Sequence, residues 1–223
     1  MILAIDTSTD NANLALVHGD EIIAELSWRC EQNHTVELLP HLARLLEDKG
    51  GIGSISGVIV AKGPGSFNGL RAGISTAKGL AFSLGIPIIG ISSLEVVAYE
   101  YAGSGLPVCP VFNAGRGEIA TAIYQRKDNK WCQLVAEHIT TVDALCSTIT
   151  TKTIFCGEFV PQIASELEKQ LKERAVIATT EPPRARLLAE LGRQRFEAGD
   201  YDSPATLQPL YLRRPAITQA KHR

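Results

Sequence analysis

A glycine-rich segment in the first third of the chain decides the fold. It reads Val60-Ala-Lys-Gly63-Pro-Gly65-Ser-Phe-Asn-Gly69-Leu-Arg71-Ala-Gly73. A short β-branched strand over residues 57–61 precedes this loop, and an apolar helix over residues 70–84 follows it. Strand, loop and helix in this order are typical of an α/β protein.

The loop has two interpretations, an anion site or a tight structural turn. Glycine permits positive φ and close backbone approach, and a helix N-terminus offers free N–H groups to an anion. However, a P-loop requires Lys and Ser or Thr after Gly69, where Leu70 stands, and the dinucleotide fingerprint requires glycine at Asn68. Both interpretations stay open for one set of residues: Asp6, Gly63, Gly65, Gly69 and Arg71.

The elements around the loop predict two similar halves. The first half reads as three strands, a helix, a strand, a helix and a strand, and the three opening strands must form antiparallel hairpins because their turns are short. The second half repeats this outline more loosely. We predict an α/β fold whose halves, residues 1–102 and 103–223, are mixed sheets flanked by helices. The predicted strands are 1–7, 13–18, 21–28, 57–61, 86–91, 108–112, 119–125, 131–139, 153–156 and 176–179, and the predicted helices are 38–46, 70–84, 142–149, 163–171 and 184–198.

Composition excludes several classes of protein. The 223 residues are 45% hydrophobic and 21% charged, with a net charge of −2, so no overall field attracts nucleic acid or an anionic membrane. The five cysteines form no CxxC pair, which favours free thiols in a reducing cytosol. No leader segment and no apolar run of about 20 residues is evident, so we expect a cytoplasmic protein without membrane contact.

Two helices carry stripes that suit either the chain's own core or a partner. The first has five leucines on one face, and the second has small residues at successive i+4 positions, which would let another helix approach closely. Periodicity alone leaves both uses open. The candidate interface residues are Leu38, Leu39, Leu42, Leu45, Leu46, Gly69, Leu70, Gly73, Ala77 and Ala81.

Metal and phosphoryl chemistry have weak support. His34 and His41 lie two helical turns apart, about 10.5 Å, which is too far for one ion. Asp6 ends the first strand like a metal-supporting acid, but it can equally cap the turn through Thr7–Thr9. The corresponding strand of the second half offers Asn113 where a companion acid is required. We therefore predict no metal site and no catalytic residues.

Five segments, spread in order over nearly the whole chain, resemble the signatures of one family. They are Ile5-Asp-Thr-Ser-Thr9, His34-Thr-Val-Glu-Leu-Leu-Pro40, Lys62 to Gly73, Arg116-Gly117-Glu118 and Pro209-Leu-Tyr211-Leu-Arg213. The resemblance is to the bacterial TsaB family of tRNA threonylcarbamoyladenosine biosynthesis proteins. Asn113 departs from the aspartate expected there.

The resemblance implies the actin-like and Hsp70-like ATPase superfold, with two ribonuclease-H-like halves. It implies a non-catalytic scaffold and activator that pairs with a TsaD-like catalytic subunit and a TsaE-like ATPase, and that forms a homodimer when alone. ATP or ADP and metal would be used by those partners, so this chain is expected to need no cofactor. The two striped helices would form the dimer surface. Apart from the resemblance, the basic tail with Arg213, Arg214, Lys221 and Arg223 has two interpretations, a solvated segment or a weak contact with tRNA phosphates. The alternative is an independent ATP-using phosphotransferase of the same superfold.

Overall fold

A computed structural model describes residues 1–30, 33–178 and 184–213. Pro182 and Pro183, which precede the last predicted helix in sequence, lie outside the described residues. The same holds for Thr179 and for most of the predicted basic tail, including Arg214, Lys221 and Arg223.

The first half has the predicted order of elements, with one additional helix. Its sheet has the order β3-β2-β1-β4-β5, in which β1 pairs antiparallel with β2 and parallel with β4. The antiparallel hairpins expected for the first three strands are confirmed. The elements are β1 Ile2–Asp6, β2 Asn11–His18, β3 Glu21–Arg29, α1 His34–Leu46, β4 Gly57–Ala61, α2 Phe67–Leu84, β5 Ile88–Ile91 and α3 Ser93–Tyr99.

The second half repeats the topology of the first. Read from its antiparallel edge, its sheet has the order β8-β7-β6-β9-β10, which matches β3-β2-β1-β4-β5 strand for strand. Two mixed five-stranded sheets of the ribonuclease-H-like type confirm the predicted fold class. The elements are β6 Val108–Gly115, β7 Glu118–Lys127, β8 Lys130–Thr140, α4 Val142–Thr148, β9 Thr153–Cys156, α5 Val160–Leu171, β10 Ala175–Ile177 and α6 Arg184–Glu197.

Local sequence explains where the strands turn. Asp128 and Asn129 join β7 to β8 with φ of 47° and 62°, and Arg116 and Gly117 join β6 to β7 with φ of 59° and 76°. Two-residue turns with positive φ at both positions match the right-handed twist of the strands, and Asn, Asp and Gly adopt that conformation most readily. Asp128 and Asn129 therefore suit the turn that joins β7 to β8.

Helices cover both faces of the first sheet. α1 and α2 pack on one face, and α6 packs across the other, burying Ala185, Leu188 and Leu191. α3 contacts α6 and also packs on β6 and β7 of the second sheet, so it joins the two halves. Helix α6, which follows the second half in sequence, thus packs on the sheet of the first half. The division of the chain between residues 102 and 103 stays a prediction. None of the helices in the described part of the chain has the length and apolar character that a bilayer span requires.

Candidate functional site

A cleft of about 580 Å³ lies between the two halves, beside the glycine-rich loop. The first half contributes the turn after β1 together with Gly65 and Ser66, and the second half contributes Phe112, Asn113 and Glu158. This is the place where the sequence offered either an anion site or a structural turn.

Asp6 serves the turn that follows it. Its carboxylate oxygen Oδ1 accepts hydrogen bonds from the Ser8 backbone N–H at 2.9 Å and from the Ser8 hydroxyl at 2.6 Å. The side chain is fully buried and is not among the residues that line the cleft. The capping interpretation of Asp6 is thus the one that the geometry supports.

The glycines of the loop allow close approach to the chain's own backbone. A Cβ atom at Gly65 would overlap the carbonyl oxygen of Ser8, and one at Gly69 would overlap the carbonyl oxygen of Thr7. Gly63, with φ of 102°, exchanges hydrogen bonds with Ser93. The turn after β1 therefore lies against the loop where the first interpretation placed an anion.

Three N–H donors at the start of α2 are used within the chain. The Ser66 N–H donates to Ser8, and those of Gly69 and Leu70 donate to the hydroxyl and carbonyl of Ser66. The Arg71 guanidinium stacks at 3.8 Å over the Phe67 ring, and its Nε donates to the Tyr211 hydroxyl at 3.3 Å. These contacts favour the structural turn over the anion site.

A buried arginine joins the two halves at the cleft. Arg184 donates from Nη1 to the Thr9 hydroxyl at 3.1 Å, pairs with Glu158 at 3.8 Å and lies 5.3 Å above the Phe112 ring. Sequence reasoning missed it, although a basic residue in the first turn of a helix opposes the helix dipole and so signals another role. Asn113 is exposed and accepts a hydrogen bond from the Gly115 N–H, which gives it a turn role.

Several polar groups beside this cleft already have partners within the chain. Phosphoryl transfer requires free donors for the phosphates and carboxylates for a cation, and here the N–H groups of Gly63, Ser66 and Gly69 already bond within the chain. Within the described ranges, no cluster of three or more His, Cys, Asp or Glu side chains could hold a metal ion. His34 donates from Nε2 to the Thr9 carbonyl at 2.9 Å, and His41 stacks on Trp28 at 4.3 Å, so the two histidines have separate partners.

The segment Arg116-Gly117-Glu118 forms a hairpin turn, and its last residue makes an ion pair with a distant part of the chain. Arg116 is exposed at the turn, and the Glu118 carboxylate forms a salt bridge with Arg213 of the final described segment. Tyr211 of the same segment contacts Arg71. The segment that holds Tyr211 and Arg213 therefore connects the second half to the start of α2.

The expected interface stripes require a correction. The leucines of α1, apart from Leu39, and the small residues of α2 are buried in the chain's own core. Periodicity shows which residues share a face, and this face packs on the first sheet because β1 and β4 present apolar side chains to it. The residues so corrected are Leu38, Leu42, Leu45, Leu46, Gly69, Leu70, Gly73, Ala77 and Ala81.

The opposite sides of these helices form an exposed apolar surface, the α1–α2 face. Val36 and Leu39 of α1 are 75% and 57% exposed, and Phe82 of α2 is 85% exposed. Small side chains lie between them on α2, at Ala72, Ser75, Thr76 and Gly79, and a groove of about 370 Å³ runs between the helices. Apolar patches of this kind mark sites of protein contact.

The two repeated halves with a cleft between them define a member of the actin-like ATPase superfold. The family model described as "TsaD: tRNA N6-adenosine threonylcarbamoyltransferase" matches residues 28–221. A Bacillus subtilis protein named tRNA threonylcarbamoyladenosine biosynthesis protein TsaB is 35% identical over 218 residues, covering 95% of this chain and 93% of its own. The chain belongs to the TsaB family.

One further relative and one solved structure are also similar to the chain. The Escherichia coli protein of the same name is 36% identical over 131 residues, covering 57% of this chain and 56% of its own. A solved Pseudomonas aeruginosa structure, described as similar to the peptidase YeaZ, superposes with a TM-score of 0.81 at 23% identity. That superposition covers 95% of this chain and 99% of the other, and it concerns the fold.

Proposed function

We propose that this chain is a non-catalytic scaffold and activator in the synthesis of N6-threonylcarbamoyladenosine beside the anticodon of tRNA. It binds a TsaD-like catalytic subunit through the α1–α2 face, and a TsaE-like ATPase joins the assembly. The observation that carries this proposal is the exposed apolar α1–α2 face, with Leu39 on one helix and Phe82 on the other.

The geometry of the face suits a helix-to-helix contact. Small side chains at Ala72, Ser75 and Gly79 let a partner helix approach α2 closely, and the aromatic ring of Phe82 at one end supplies an anchor. A stable contact of this kind buries roughly 1,200–2,000 Å² in total. In the absence of the partner, the same face can pair with a second copy about a two-fold axis.

The cleft supports a role without catalysis. The N–H groups of Ser66 and Gly69 bond within the chain, Asn113 caps a turn, and Glu158 pairs with Arg184. An independent phosphotransferase is therefore not favoured, and calorimetry with millimolar ATP separates the two proposals. We expect no saturable heat from the isolated chain. The weak tRNA contact of the basic tail remains part of the proposal.

Reconstitution tests the function directly. The TsaD-like and TsaE-like proteins of the same organism, with tRNA, threonine, bicarbonate, ATP and the enzyme that forms threonylcarbamoyl-adenylate, are assayed for modified adenosine with and without this chain. We expect multiple turnovers only in its presence, and loss of that stimulation with Leu39→Asp. A full rate without the chain would rule out the activator role.

A further inference from the structure

A second cleft, of about 740 Å³, lies between the halves and shares no lining residue with the first. The first half lines it with Lys62, Ser92 and Glu95, at the ends of β4 and β5 and the start of α3. Tyr124 and Glu137 of β7 and β8 line the opposite side, and residues of α6 close it. Nothing in the proposed function uses this space.

One acid of the second cleft is held in place by hydrogen bonds. The Tyr124 hydroxyl donates to the Glu137 carboxylate at 3.1 Å, and Gln133 donates to the same hydroxyl at 3.2 Å. The Trp131 ring stacks on Tyr124 at 5.7 Å and fixes its position. Burial alone would raise the pKa of Glu137, but hydrogen bonds from its own backbone and from Gln133 and Tyr124 lower it. Glu137 is therefore a preorganised carboxylate.

The second acid, Glu95, faces the first. Burial and the charge of Glu137 raise the pKa of Glu95, and Lys62 and Arg195 partly oppose that rise. Beside them Ser92 is only 4% exposed, and its hydroxyl lies near the Glu137 carboxylate, where it helps to lower the pKa of that group. Two carboxylates and a buried hydroxyl thus offer acceptors for a positively charged group with several N–H donors.

Three cations line the cleft: Arg195 is held by partners, Lys62 has no such partners, and Lys130 is exposed at the turn between β7 and β8. Arg195 donates to Asp200 at 2.7 Å and to the Gly90 carbonyl at 3.1 Å, and it also pairs with Asp202 at 3.4 Å. Lys62 is held by its backbone, but its ammonium makes no hydrogen bond or close ion pair with any described residue. Lys62, whose charge acts on Glu95, can therefore also bind an anion.

We propose that this second cleft binds a small zwitterion, a free α-amino acid. The ammonium group lies between Glu95 and Glu137, with Ser92 as a further acceptor, and the carboxylate binds Lys62. Lysine, arginine and acidic side chains balance in the lining, which disfavours polyanions such as nucleoside triphosphates and also polyamines. Because both halves contribute, occupancy would stabilise one relative position of the halves.

The test is a titration of the whole chain, followed by calorimetry and by NMR shifts of the tryptophan indole N–H groups. The probes are L-serine, L-leucine and L-glutamate, with N-acetyl-L-serine and L-serinamide, each of which lacks one of the two charges. We expect saturable binding of at least one amino acid and none of the two derivatives.

Substitutions then test which side chain binds each charged group of the amino acid. Glu95→Gln and Lys62→Met keep the size of the side chains, and each should weaken amino-acid binding by roughly tenfold or more, since each removes a charged hydrogen-bond partner. Glu168→Gln and Lys169→Met, exposed on α5, are matched controls that should bind normally. Absence of saturable binding, binding of both derivatives, or full affinity in the Glu95 variant would overturn the proposal. Titration of the unaltered chain with N-acetyl-L-serine and L-serinamide tests the proposal even where a variant fails to fold.

Discussion

The hydroxyl of Thr7 donates a hydrogen bond to the carbonyl oxygen of Gly69 at 2.8 Å. This bond joins the turn after β1 to the first turn of α2, where the inner ridge of small residues meets the sheet. Gly73 lies one turn further along the same ridge, close to the Thr7 side chain. The inner ridge is therefore required by the chain itself, whereas the outer side of the helix, which carries Phe82, is exposed.

Two glycines of α2 should respond oppositely to alanine. A Cβ atom at Gly73 would overlap Thr7 Oγ1, whereas a Cβ atom at Gly79 would meet nothing within 4 Å. Gly73→Ala should lower the free energy of unfolding by about 1–3 kcal/mol through overpacking. Gly79→Ala should raise it by about 0.5–1 kcal/mol, because alanine favours the helix. Urea denaturation of the isolated chain measures both, and equal effects would contradict the assignment of the two sides.

Two leucines of α1 provide the same test for the first helix. Leu42 is 3% exposed within the core, whereas Leu39 lies on the α1–α2 face. Leu42→Ala should cost about 2–5 kcal/mol of stability, since it leaves a cavity. Leu39→Ala should change stability by no more than about 0.5 kcal/mol. Thermal or urea unfolding measures the difference, and a large loss in the Leu39 variant would place that residue in the core instead.

Stability should depend on pH through Glu95. Burial and the charge of Glu137 raise the pKa of Glu95 above its ordinary value of 4.5, so the folded chain retains a proton that the unfolded chain has lost. The contribution of this group is fully present below pH 4.5 and is lost as the pH rises through the raised pKa. Glu95→Gln removes this dependence, so its stability relative to the unaltered chain should increase from pH 4.5 to pH 8. A constant difference between the two proteins across this range would contradict the prediction.

Two arginines of α6 should differ in their effect on stability. Arg184 is buried between the halves with Thr9 and Glu158, whereas Arg193 pairs at the surface with Asp20 and Glu197. Arg184→Met should cost about 1–3 kcal/mol because it leaves buried polar groups without their partner. Arg193→Met should cost about 0–1 kcal/mol, as expected for a surface ion pair. Equal losses in denaturation would show that Arg184 does not hold the halves together.

Local pattern predicted the elements with good accuracy because most of them have one clear period. β4 and β9 begin and end at the predicted residues, and α2 extends the predicted helix by three residues at its start, where Ser66 caps it. α3 was missed because it is short and buried on nearly every side, so it has no polar face to reveal a helical period.

Long-range packing set the limits of prediction for the site. The leucine period of α1 identified a common face, but whether the first sheet or another chain covers that face depends on contacts distant in sequence. The same holds for Arg184, whose partners Thr9 and Glu158 come from opposite halves. The second cleft was not predicted from the sequence for the same reason. Lys62, Glu95 and Glu137 share no motif and meet only in the folded chain.

The most direct test of the central claim is the mass of the complex with the TsaD-like subunit of the same organism. Light scattering behind a sizing column is applied to the unaltered chain, to Leu39→Asp on the α1–α2 face, and to Leu134→Asp on β8, a leucine 40% exposed on the other half. We predict a one-to-one complex for the unaltered chain and the Leu134 variant, and separate peaks for the Leu39 variant. Separate peaks for the unaltered chain at micromolar concentrations, with and without ATP and the TsaE-like protein, would contradict the account, and so would an intact complex with the Leu39 variant.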